Sequence, residues 1–149
     1  MLAGIHNDVL KAVLEVFYWR FVPEGRVLWV NENDEPLLAV RDELHQLGVS
    51  LLRPRSLPTV VINDEGRDRL ALIDVADLLG LMTENRCEVL KGMFGGSRSQ
   101  LILVNAFRSR TQFQALAAEL PWDSVVWFSD EPNHLIHFDG RNLFGPASN

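Results

Sequence analysis

Several side chains in this 149-residue chain have types and spacings suited to chemistry. His134 and His137 stand three apart, a spacing at which two imidazoles on one helix can hold zinc. The segment around them alternates in the manner of a strand, where an odd offset sends side chains to opposite faces, and no Cys or carboxylate set completes the site. A structural hydrogen-bonding role is the expectation. Glu88 and Lys91 are also three apart, in a helical stretch, and so share a face. An acid and a lysine placed this way suit a hydrolytic site, although a solvated ion pair is the commoner meaning of that spacing. Gly92, Gly95 and Gly96 before Ser97 sketch a phosphate loop but lack the Gly-Lys-Ser/Thr ending, so a helix C-terminus accounts for them. Glu15, in the first helical stretch, reads as a surface acid. Nucleophile elbows and dinucleotide fingerprints are absent.

The elements that must position these groups follow from pattern. Asn7 to Arg20 predicts a helix, capped by Asn7 or Asp8 and carrying Val9, Leu10, Val13, Leu14 and Phe17 as an apolar stripe. Arg26 to Val30 reads as a strand after the Pro23-Glu24-Gly25 turn. Asn33-Asp34-Glu35-Pro36 predicts a helix start, and Gly48 an end just after Leu47. Thr59 to Ile62 and Leu70 to Asp74 form two strands around a polar loop over residues 63–69. Glu84 to Phe94 is helical. The apolar run Leu101 to Val104 suits a strand covered on both faces. Ser109 caps a helix reaching Leu120. Val125 to Phe128 is a strand, Asp130-Glu131-Pro132-Asn133 a turn, and His134 to Phe138 a closing strand that stops at Asp139-Gly140. The order αβαββαβαββ implies a mixed sheet flanked by helices. Nothing repeats and no linker divides the chain, so a single domain over 1–149 is expected.

Hydrophobic residues make up 47% and charged residues 23%, enough for an ordinary core. The net charge of −6 argues against a generic nucleic-acid coat, yet the positive charge is almost all arginine, with Lys11 and Lys91 the two lysines. Arginine suits bidentate phosphate and guanine contacts. A lone Cys87 fits a reducing cytoplasm and a packing role. The N-terminus has no signal-peptide pattern and no apolar run reaches the ~18 residues of a membrane span, so a cytoplasmic location is expected.

The stretch Pro121-Trp122-Asp123-Ser124-Val125-Val126-Trp127-Phe128-Ser129-Asp130-Glu131-Pro132-Asn133-His134-Leu135-Ile136-His137-Phe138-Asp139-Gly140, followed by Gly145-Pro146, matches a W-[DE]-x-x-V-W-x-[AS]-D-x-P-x-H-[LM]-I-H-F-x-G-x-x-x-x-G-P pattern. It resembles the C-terminal region of the BsuBI/PstI type II restriction endonucleases. The resemblance runs from about Phe21 to Pro146 and implies an α/β domain of the PD-(D/E)XK nuclease fold. The family's N-terminal recognition region has no counterpart in this reading. By resemblance the protein belongs to DNA restriction or phage defence, cleaving double-stranded DNA with Mg²⁺ where active, and palindromic targets would make it a homodimer.

The resemblance also implies a site. In the family, one strand begins with Pro-Asp and the next ends in Ile-Glu-Ala-Val, followed by Thr-Ser-His-Gly-Pro. The chain has Pro58-Thr59 at the first place and Ile73-Asp74-Val75-Ala76 at the second. Asp74 inherits the second-strand carboxylate as a metal and catalytic residue; Thr59 cannot inherit the first, a neutral hydroxyl being a poor metal ligand. Asp64 matches a loop aspartate, Asp77 is a candidate relocated ligand, and Arg86, Glu88 and Lys91 resemble the charged residues of a family helix Arg-His-x-Glu-Leu-Lys. Glu88 and Lys91 are then the candidate site acid and charge-stabilising lysine. With one carboxylate missing, the alternative is a catalytically silent nuclease-fold subunit that binds DNA or a protein partner, with Leu78-Leu79-Gly80-Leu81-Met82 either its contact patch or equally a piece of the core.

Overall fold

The computed structural model describes residues 4–33, 35–49, 57–95 and 99–138. Its first helix, α1, runs without a break as α-helix Asp8–Ala12, a π-helical turn Val13–Phe17 and α-helix Tyr18–Phe21. Asn7 caps it as expected, its Oδ1 accepting from the Leu10 N–H at 2.9 Å. Val9, Leu10, Val13 and Phe17 of the stripe are buried.

Seven strands follow: β1 Arg26–Glu32, β2 Glu35–Ala39, β3 Val60–Asp64, β4 Arg69–Val75, β5 Gln100–Phe107, β6 Ser124–Phe128 and β7 Leu135–Phe138. They form one sheet in the order β2-β1-β3-β4-β5-β6-β7. β4, β5 and β6 run parallel at the centre, and every other pairing is antiparallel. The apolar run of β5 therefore sits where parallel strands are covered on both faces.

The helix expected to open at Pro36 is a correction. Residues 35–39 instead fold back on β1 as strand β2, with Leu38 opposite Val30 and Ala39 opposite Trp29. Asn33 turns the chain at φ 51°, a conformation that asparagine tolerates, and Pro36 is accepted because β2 is an edge strand needing fewer ladder donors. The helix α2, Arg41–Gln46, begins only after this hairpin; Gly48, at φ 86°, follows it as expected of a stop.

Three helices on two crossovers accompany the sheet: α3 Ala76–Leu79 and α4 Glu84–Met93, capped by Thr83, between β4 and β5, and α5 Arg110–Leu116, capped by Ser109, between β5 and β6. α1 covers one face of the sheet, over Val30, Ile62, Ile73, Val104 and Trp127. α4 covers the other over Leu70, Leu72 and Leu103, and α5 packs beside it on Phe107, Val126 and Phe128. The Leu78–Met82 run joins these cores: Met82 is fully buried on the α4 side, Leu78 packs on the α1 side and Leu81 beside Phe107. Leu79 is half-buried outside these clusters, so most of the run packs into the cores instead of forming one continuous exposed patch.

Candidate functional site

The strand that begins after Pro58 and the strand that ends at Asp74 are neighbours, so their ends meet at one edge of the sheet. Val60 pairs with Ile73 and Asp74 lies beside Asn105. The Asn31 N–H donates to the Thr59 carbonyl at 2.9 Å. Asn31, Thr59, Asp74 and Asn105 therefore form a polar row across four strands, on the α4 face, with exposures of 4, 1, 0 and 0%. Buried polar groups of this kind need partners. Asn105 clasps Met82, accepting from its N–H at 2.7 Å and donating to its carbonyl at 3.3 Å. The Thr59 hydroxyl accepts from the Val75 N–H at 3.1 Å. Asn31 Oδ1 has no hydrogen-bond partner.

Asp74 is met by Arg86 of α4. The guanidinium spans the carboxylate, with Nε on Oδ2 and Nη2 on Oδ1 at 3.1 Å, and Nη2 also reaches the Leu57 carbonyl at 3.1 Å. Fork geometry of this kind gives direction as well as energy. Burial pushes the Asp74 carboxyl above its ordinary range, while Arg86 and the Thr59 N–H pull against the rise. Beside it, burial raises the Cys87 thiol to about 11, so the cysteine is a packing residue, as its composition suggested.

The other candidates do not converge on Asp74. Asp64 pairs with Arg69 at 2.6 Å at the opposite end of the hairpin. Five residues of strand separate the Arg69 and Asp74 levels, roughly 17 Å. Asp64 and Asp74 cannot share an ion. Asp77 turns toward α1 and α5, accepting from Arg108 at 2.7 Å, Gln112 at 2.7 Å and Asn7 at 3.5 Å. Glu88 and Lys91 are exposed and meet each other at 3.5 Å, the solvated pair their spacing allowed. Residues 86–91 also read Arg-Cys-Glu-Val-Leu-Lys, which puts Val89, not Glu88, at the family pattern's glutamate. Glu15, His134 and His137 are exposed; the His134 N–H, rather than its ring, holds the turn by donating to the Glu131 carbonyl at 3.2 Å.

Partial burial would push Asp77 up, but the hydrogen bonds from Gln112, Arg108 and Asn7, with the Arg108 charge, outweigh it and hold the carboxyl below its ordinary value of 3.8. A depressed acid contributes stability that is fully present above its unfolded-state pKa and lost as pH falls through the folded one. Wild type is therefore expected to exceed Asp77→Asn in melting temperature at neutral pH, with the gap closing as pH drops below 3.8. Paired thermal melts across that range check this.

Two residues of this edge had no sequence assignment. Glu32, 5% exposed, accepts from the N–H groups of His6 at 2.9 and 3.1 Å and Asn7 at 2.6 Å, which places a carboxylate at the start of α1. Asn105 interrupts an otherwise apolar strand, and that interruption was the available signal: a polar side chain there must find a buried partner. Among the described residues, no three or more His, Cys, Asp or Glu side chains gather into a cluster that could hold a metal ion. One carboxylate already spanned by arginine, beside Thr59 and Asn105 whose oxygens are engaged, leaves the neutral Asn31 Oδ1 as the row's unengaged oxygen, and this does not fit the two-carboxylate Mg²⁺ set the resemblance implied.

A mixed seven-strand sheet flanked by helices, with an acid at the end of a central strand, is a restriction-endonuclease-like domain. The solved structure of SdaI restriction endonuclease superimposes with a TM-score of 0.83 at 28% identity, covering 99% of this chain and 47% of that one. The chain belongs to the BsuBI/PstI family: the BsuBI/PstI restriction endonuclease domain matches residues 1–141, so α1 lies within the matched region. It is 34% identical over 144 residues to the type II restriction enzyme BsuBI of Bacillus subtilis, covering 96% of this chain and 46% of that enzyme. It is 28% identical over 145 residues to the type II restriction enzyme AplI of Arthrospira platensis, covering 92% and 44%. The chain thus spans just under half the length of these relatives. Among the described residues no helix is long and apolar enough to cross a membrane.

Proposed function

We propose that this chain works in DNA restriction or phage defence as a BsuBI/PstI-type nuclease-fold domain that engages double-stranded DNA, with phosphodiester hydrolysis impaired at the Asp74 hairpin. Family membership and the shared fold support the DNA-linked role. The observation that carries the impairment is a single buried carboxylate facing Thr59 across the hairpin, in a row where Thr59 Oγ1 and Asn105 Oδ1 already accept hydrogen bonds and only the neutral Asn31 Oδ1 is unengaged. The same observation favours a second reading, a catalytically silent subunit that contributes binding alone.

The test combines fluorescence anisotropy on duplex DNA with cleavage of plasmid and phage DNA in millimolar Mg²⁺ or Mn²⁺, on wild type and Asp74→Ala. Binding that weakens steeply with salt is expected from phosphate contacts, together with cleavage at background in both proteins. Metal-dependent cleavage lost in Asp74→Ala would return the chain to the active endonucleases. Absence of binding at low salt would overturn the DNA reading.

A further inference from the structure

We propose that Arg86 is the resident cation of the Asp74 centre, standing where the fold would otherwise hold a metal and clamping α4 to the β3–β4 hairpin. The proposal deepens the impaired-site reading above and rests on it. The geometry is that of a closed ion site: both carboxylate oxygens face the guanidinium, and the same Nη2 holds the Leu57 carbonyl. Asp74 is completely buried and the Arg86 side chain is 20% exposed, so little water competes for either group.

Charge counting points the same way. One carboxylate balances one guanidinium. Adding a divalent ion would bring three positive charges against one negative in a site with little solvent, where uncompensated charge is costly. The neighbouring oxygens offer little relief, because Thr59 Oγ1 and Asn105 Oδ1 already accept from Val75 and Met82, and Asn31 Oδ1, the unengaged oxygen of the row, is neutral. Lys91 supplies no second cation, since it pairs with Glu88 on the exposed side of α4. The carboxylate at this strand end has therefore become a structural anchor. Taking Arg86 away would leave the buried Asp74 carboxyl with no guanidinium, so it must take up a proton or another cation, and a divalent ion that displaces that proton becomes a partner it lacks in the wild type.

The experiment is a set of thermal melts with EDTA or MnCl₂ on wild type, Asp74→Asn, Arg86→Ala, Arg86→Lys and the double variant Arg86→Ala/Asp74→Asn. Wild type is expected to melt at the same temperature with and without Mn²⁺. Arg86→Ala is expected to melt roughly 6–20 °C lower, to recover part of that loss in Mn²⁺, and to lose the recovery in the double variant. Arg86→Lys keeps one charge at the centre and is expected to ignore Mn²⁺, which keeps the test decisive if Arg86→Ala does not fold. A Mn²⁺-induced rise in wild type that disappears in Asp74→Asn would overturn the proposal, as would an Arg86→Ala protein indifferent to Mn²⁺ or an Arg86→Lys protein that responds to it. Duplex-DNA anisotropy on the same wild-type sample separates the two conclusions: lost DNA binding with Mn²⁺ indifference sinks the DNA role and leaves the arginine clamp standing.

Discussion

Trp127→Ala is expected to lower stability by about 3–5 kcal/mol, the range for deleting a large buried aromatic. For a domain of this size that is a fall of roughly 6–20 °C in melting temperature. Trp127 is completely buried on the face covered by α1. Its ring meets Phe17 edge-on at 5.5 Å and 73°, and its indole N–H donates to the Pro132 carbonyl at 3.1 Å. One truncation thus removes a core contact between sheet and helix and leaves the turn before β7 without a donor. Trp122, 64% exposed, is the control, and its alanine variant is expected within about 0.5 kcal/mol of wild type. Equal losses from the two would contradict this assignment of the core.

Asp74→Ala is expected to cost about 3–5 kcal/mol, because it removes the buried carboxylate that both Nε and Nη2 of the Arg86 guanidinium contact. The 20% exposure of Arg86 places the expected loss toward the lower end. Removing both partners is a different experiment. Asp74→Leu/Arg86→Met is expected within about 1 kcal/mol of wild type or above it, since apolar replacement of a buried pair is often neutral or stabilising. Denaturant unfolding of the single and double variants closes the cycle, and additive losses would show that the pair is not coupled. Acid titration carries a further signature. A carboxyl raised by burial makes the native state hold its proton more tightly than the unfolded chain, so its contribution falls as pH rises from 3.8 through the raised value. That slope is opposite in sign to the one at Asp77.

How far these features were legible in the chain depended on whether a local pattern encoded them. The β3–β4 hairpin, the caps at Asn7 and Ser109 and the aromatic strand β6 were local, and each appears where expected. The β1–β2 hairpin was misread because Pro36 starts helices as readily as it tolerates sheet edges; only the partner strand decides between them. At the site, Asp74 and Thr59 were legible as a strand end meeting a strand start. The separation of Asp64 from Asp74 was also readable, because a hairpin's turn and its open end cannot meet. Arg86 was not, since its pairing with Asp74 depends on how α4 crosses the sheet. Buried long-range partners of this kind have no spacing rule.

Except for the exchange of β1 and β2, the strands lie across the sheet in the order in which they occur along the chain. During synthesis each strand from β3 onward emerges beside a neighbour that already exists, so the sheet can extend from one side to the other without threading a gap. α1 is the counterexample. It precedes every strand of the sheet along the chain, yet its Phe17 rests on Trp127 of the sixth strand. Its apolar stripe therefore lacks its full surface until β6 has left the ribosome, and the helix that precedes the sheet is among the last of these elements to dock completely.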